Sequence, residues 1–158
     1  MKTKTATNRM LKIEDDICLS DVLAAIEPEA SDLHWSVLYL HELVAGGDSV
    51  YDNEFVAQSI KKSPSGWQLK FPNLQRFAEQ AIQVNDGLFA ATRDPENLPL
   101  KTDSDEQMLA SAEILVADVD TSFFLVSAPE VVLARIESAF EDVTEADDDE
   151  DLSSWPRD

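Results

Sequence analysis

The chain has 158 residues, 44% of them hydrophobic, with 32 acidic against 12 basic residues and a net charge of −20. That length suits one domain able to bury roughly two-thirds of its unfolded surface, so neither a metal nor a disulfide is needed to fold it. The charge argues against nucleic acid and anionic membranes, which are bound by Lys and Arg through counterion release, and favours a cationic protein as partner.

The acidity is not confined to one end: residues 141–158 hold nine acids and one base, but residues 1–140 still hold 23 acids against 11 bases. Solubility alone accounts for such a surface as readily as a basic partner does. The single thiol, Cys18, cannot form an internal disulfide, which suits a reducing cytoplasm. Its apolar neighbours suggest a buried, inert cysteine. No window approaches the ~18 consecutive apolar residues of a membrane span.

In chain order, residues 1–12 carry four bases and no acids and read as a flexible basic arm. The acids Glu14, Asp15 and Asp16 follow at once, so no signal-peptide apolar region is expected. Ile13, Ile17 and Leu19 fit either a strand or an extension of the next helix. Residues 20–27 read as that helix, capped by Ser20, with Asp21 in its first turn and Pro28 stopping it. Residues 33–44, LHWSVLYLHELV, alternate with a partly apolar second face and predict an interior strand. A helix over 53–63 capped by Asn53, a turn at 64–66, a strand over 67–71 and a helix from Pro72 to about Gln83 come next. Residues 87–92 suggest a strand, the proline-broken run from Arg93 a long loop, and Asp105–Ala112 a short helical turn.

The most regular stretch is Glu113–Phe140: strand, turn at Asp118–Ser122, strand, then a helix opened by Pro129 with Val131, Val132, Ile136 and Phe140 as its apolar face. Residues 144–158 have no periodicity and dense acid, and read as a disordered tail.

Chemical motifs are sparse. Asp118-Val119-Asp120-Thr121-Ser122 follows an apolar strand and resembles the DxDx[TV] motif of haloacid-dehalogenase-like phosphatases. There the first Asp is the nucleophile and the second the general acid/base beside Mg²⁺. Ser122 replaces the usual Thr or Val, and only 36 residues follow it, too few for the Lys and further acids of that family. A hairpin turn explains the same residues, because Asp, Thr and Ser tolerate turn geometry. His34 and His41 lie seven apart, which in a regular strand sends them to opposite faces and rules out a shared metal. The acids Asp147–Asp151 lack the central Gly and distal Glu of an EF-hand loop. Trp155 stands alone among acids, suited to docking on a partner or on the protein's own surface. No HExxH, CxxC, GxSxG or Gly-rich phosphate loop occurs, and no metal or cofactor is expected.

The acidic one-domain layout, with a Trp in its first strand, then a Gly-Trp strand and helix, then ILVADVDTSFFLVSA leading into VVLARIESAFEDV, resembles small immunity proteins of bacterial polymorphic-toxin systems over residues 33–143. The basic arm and acidic tail lie outside that pattern. The resemblance implies a non-catalytic cytoplasmic inhibitor of a cationic toxin such as a nuclease. Acids in expected loops, Asp48, Asp52, Asp86, Asp94, Glu96, Asp118 and Asp120, would then be the partner-binding set. An acidic secretion chaperone or adaptor, and a Mg²⁺-dependent phosphoryl-transfer enzyme using Asp118 and Asp120, are the competing readings. The fold expected is a single α+β domain over residues 13–143, with a mixed, mostly antiparallel sheet of about five strands and helices mainly on one side.

Overall fold

The structure, a computed structural model, describes residues 8–45, 52–147 and 150–153. The chain runs β1 (Met10–Ile13), α1 (Leu19–Ala30), β2 (His34–Ala45), α2 (Asn53–Lys61), β3 (Trp67–Lys70), α3 (Phe71–Gln80), β4 (Ala81–Thr92), a 3₁₀ turn at Pro95–Asn97, α4 (Asp105–Ser111), β5 (Ile114–Val119), β6 (Phe123–Ser127), α5 (Glu130–Ala139) and β7 (Val143–Glu145). It is an α+β fold built on one sheet, in the order β3-β2-β4-β5-β6-β1-β7. Every strand pair is antiparallel. The sheet therefore has seven strands rather than about five, and no parallel pair among the described residues.

Both faces of the sheet are covered, which is why β5 is buried at all six positions. One face carries Trp35, Val37, Phe89, Val116 and Val126 and packs against Ile26 of α1, Val56 of α2, Phe77 of α3 and Ile136 of α5. The other carries Leu88, Leu115, Ala117 and Leu125 and packs against Met108 of α4 and Leu152. Four helices thus share one face and α4 lies on the other.

Local chemistry sets most element boundaries. At the start of α1 the Asp21 carboxylate accepts from the Cys18 N–H at 2.9 Å, so Cys18, not Ser20, holds the cap position. Pro28 lies inside the helix rather than ending it. It removes only the donor to the carbonyl of Ala24, an exposed position that water can serve. The helix stops two residues later, where the Ala30 carbonyl accepts from Trp35 Nε1 at 3.0 Å and from Leu33 N at 3.2 Å. In α2 the cap is Asp52, whose carboxylate accepts from Phe55 N at 2.8 Å, one residue before the expected Asn53. Ser104 and Gln107 cap α4 reciprocally. In α5 the buried residues are Val132, Leu133 and Ile136, whereas Val131 is 54% exposed. Leu133 thus takes the place expected of Val131.

Three expectations fail for reasons of tertiary pairing. Helix α3 ends at Gln80 and β4 begins at once, because Ala81–Thr92 pairs along nearly the whole of β2. Residues 10–12 of the expected arm form β1 between β6 and β7; residues 1–7 lie outside those described. The expected tail adds β7, and Leu152 is fully buried, with its N–H donating to Asp105 at 3.1 Å. Asp148, Asp149 and Trp155 lie outside the described residues. No helix among those described is long and apolar enough to cross a membrane.

The two histidines also need correction. The β2–β4 register slips between Val37 and Tyr39, a bulge that places one extra residue in β2. Trp35, Val37 and Leu40 consequently share one face, and Leu38 and Tyr39 the other. Alternation from those residues puts His34 and His41 on the same face, not opposite ones. They remain about 20 Å apart along the strand, too far to share a metal.

Candidate functional site

Of the seven acids expected to bind a partner, the six that are described do not form one patch. Asp48 lies outside the described residues. Asp52 is exposed but serves as the α2 cap. Asp94 is exposed, and its carboxylate accepts from Glu96 N at 2.9 Å to close the 3₁₀ turn. Glu96 is exposed beside it. These last two follow the C-terminal end of β4, next to Ile114 at the start of β5. Asp118 and Asp120 lie at the opposite end of β5, about 20 Å away along a strand of that length. Asp86 joins them from β4.

Asp86 and Asp118 are not loop residues. Asp86 lies within β4 with no exposed surface, and Asp118 within β5 with 6%. Asp86 was expected between a helix ending near Gln83 and a strand starting at residue 87, and Asp118 at the start of a turn over Asp118–Ser122. The chain instead extends β4 through Asp86 and delays the turn until Asp120. There Asp120 and Thr121 both adopt left-handed φ of 51° and 55°, as a type I′ turn requires at its two central residues. Ser122 N donates to Val119 O at 2.9 Å, closing the turn. The turn folds back on β4: Asp120 N donates to Asp86 Oδ1 at 2.6 Å, and Thr121 N to Asn85 O at 2.9 Å. One buried carboxylate therefore pins the hairpin.

Asp118 pairs across the sheet with Gly87 and shares the helix-covered face with Val116 and Phe124. It borders a cleft of about 320 Å³ walled by Ile17, Leu19, Ala78, Val84 and Phe124, with Asp16 and Cys18 at one side and Thr121 at another. Burial, and then the neighbouring Asp86 carboxylate, push the Asp118 carboxyl up to about 7. Cys18 is exposed rather than buried. It donates to Asp21 Oδ2 at 3.2 Å.

Sequence reasoning missed the segment that forms the far wall of this cleft. Its signal was the acid run Glu14-Asp15-Asp16, set against the apolar Ile13 and Ile17. Asp15 anchors the segment, its carboxylate accepting from Glu141 N at 2.9 Å and Asp142 N at 2.8 Å. That leaves Asp16 exposed on the cleft side.

Chemically, the cleft offers carboxylates and apolar surface, and no Lys or Arg is among the described residues that line it. Among the described residues no group of three His, Cys, Asp or Glu side chains could hold a metal ion. No family model, curated protein or solved structure matches the chain.

Proposed function

We propose that this protein is a non-catalytic acidic binding protein, an immunity-type inhibitor that neutralises a cationic bacterial toxin such as a nuclease inside the cytoplasm. The observation that carries this reading is the net charge of −20 on a body that also holds a cleft with carboxylates and no base among its described lining residues. A basic nuclease cleft attracts phosphates, and an ordered acidic surface offers it carboxylates instead, with long-range steering raising the association rate. The phosphoryl-transfer reading is less well supported: among the described residues no Lys or Arg lines the cleft to hold a phosphate, and no group of three His, Cys, Asp or Glu side chains could hold Mg²⁺. A secretion chaperone shares the charge argument and differs by releasing its partner unharmed.

The test is capture from the native host with tagged protein at low and moderate salt, followed by assay of the retained basic protein. Stoichiometric loss of that protein's activity, without turnover of any substrate by this chain, is the expected result. Asp52→Asn and Asp94→Asn keep their caps, since Asn caps as well as Asp, while removing charge. Combined with Glu96→Lys they should slow association about tenfold at low salt. An unchanged association rate would remove these three acids from the interface, and Mg²⁺-dependent phosphatase activity lost in Asp118→Asn would replace the inhibitor reading.

A further inference from the structure

The Asp118 side chain is 6% exposed, yet among the described residues its carboxyl has no hydrogen-bond partner. Its one neighbour of note is another acid, Asp86, which is already engaged by the Asp120 N–H. Buried carboxyls are ordinarily paired, because leaving one without a partner forfeits its hydration for nothing in return. This one instead faces an open cleft of about 320 Å³, at the small end of the range of about 300–1,000 Å³ in which small ligands are held.

We propose that this cleft is a binding site for an alkyl cation, of the kind a lysine or arginine side chain presents, with the stem on the apolar wall and the charged head on Asp118. The identification of a protein side chain as the source rests on the inhibitor reading above; the chemistry of the site does not. Anions are disfavoured by Asp118, Asp86 and Asp16, with no base among the described lining residues to offset them. A bare metal ion is excluded because no third ligand converges among the described residues. Ile17, Leu19, Ala78, Val84 and Phe124 give a wall that suits methylene groups and offers nothing to a fully polar ligand. Lysine and arginine combine a desolvated stem with a charged head in this way.

Binding is coupled to a proton. Among the described residues, the titratable groups facing Asp118 are Asp86 from β4, and Asp16 and Cys18 from the segment before α1, while α3 and β6 bring Ala78 and Phe124. At neutral pH part of the population is protonated, so the cation binds as the carboxyl releases H⁺ to solvent and the carboxylate–cation pair forms. With Asp118 titrating at about 7, the ionised fraction rises about tenfold from pH 6 to pH 8, and affinity rises with it.

The experiment is an NMR titration of the full chain with agmatine, with the peptide acetyl-Gly-Lys-Gly-amide, and with n-butanol as the uncharged control, at pH 6 and pH 8. Slowed alkylation of Cys18, the sole thiol, gives a second readout from the cleft itself. Saturable agmatine binding that is about tenfold tighter at pH 8, at least tenfold weaker in Asp118→Asn, and stronger than any n-butanol binding is expected. Ala81→Leu, which narrows the cleft without altering charge, should weaken it as well, so a folding defect in either variant alone cannot decide the result. Binding of the peptide too identifies a side chain as the source, and binding of agmatine alone identifies a free amine. No binding at tens of millimolar, or binding that both variants leave unchanged, overturns the site even if a basic partner has been captured. Conversely, agmatine binding through Asp118 without any inhibited partner leaves the site standing and removes the inhibitor reading.

Discussion

At the scale of single residues, Asp118 ties stability to pH. Its carboxyl titrates at about 7 in the folded chain against an ordinary value of 3.8. The folded state therefore binds its proton more tightly than the unfolded state does. Stability from this group is complete below about pH 4, falls as pH rises toward 7, and is absent above that, a swing of order 4 kcal/mol. Asp118→Asn removes the titration while keeping the shape. The variant should be more stable than the parent at pH 8 by a few kcal/mol, with the two converging near pH 4. Urea unfolding at pH 4.5, 6 and 8 measures this, and parallel pH profiles for the two chains would contradict it. Gly66 is a second sensitive residue. Its φ is +78°, and a Cβ there would sit 2.3 Å from the Val37 carbonyl oxygen. Gly66→Ala is expected to cost at least about 2 kcal/mol, read as a lowered denaturant midpoint with an unchanged slope.

At the scale of elements, the β5–β6 hairpin is held by its surroundings more than by its own turn residues. Thr121 is β-branched yet adopts a φ of 55°, a conformation that costs such residues about 1 kcal/mol or more. The strain is tolerated because the Asp120 and Thr121 N–H groups are both held by β4. Thr121→Gly should therefore stabilise the protein by about 1 kcal/mol; a loss of stability in thermal unfolding would mean that the Thr121 side chain contributes more than its backbone costs. Helices α1 and α5 are joined at their exposed faces by Arg135 and Glu29. The Arg135 hydrogen bond holds the Glu29 carboxyl below its usual range. That pair is solvated and adds little; Ile26 and Ile136, both without exposed surface, do most to hold the face closed.

At the scale of the whole molecule, the chain's two ends close the sheet together. β1 lies between β6 and β7, so the N-terminal strand has a neighbour on each side. Arg9 makes a paired contact with Glu145 at 3.0 and 3.1 Å, and Lys12 lies 4.2 Å from the Phe123 ring centroid. Leu152 then seals the second face against Met108 and Leu125. Leu152→Ala is expected to cost about 2–4 kcal/mol, the range for a fully buried leucine. It should also speed amide exchange in β1 and β7 before the rest of the sheet. Stability equal to the parent's would mean that the C-terminal segment only covers the sheet without supporting it.

The sequence alone determined the local elements wherever one physical signal was unopposed. Ile114–Ser127 and the helix after Pro129 were legible because apolar periodicity, turn residues and proline placement agree there. Period-2 alternation likewise revealed β2. The sequence also determined the net charge and the lack of recognisable catalytic motifs. Only the tertiary structure decided that Met10–Ile13 and Val143–Glu145 are strands, because segments of four and three residues become stable only by pairing with strands distant in sequence. It decided that β4 starts at Ala81, where pairing with β2 outweighs a helical spacing of apolar residues. The bulge that brings His34 and His41 to one face belongs to the register between two strands and has no local signature. The same holds for the acids. Asp86 and Asp118 are carboxylic acids like Asp94 and Glu96, but register and packing bury the first two beside the β5–β6 hairpin and leave the second two in solvent. Burial depends on what packs above a residue, and that is a property of the assembled sheet.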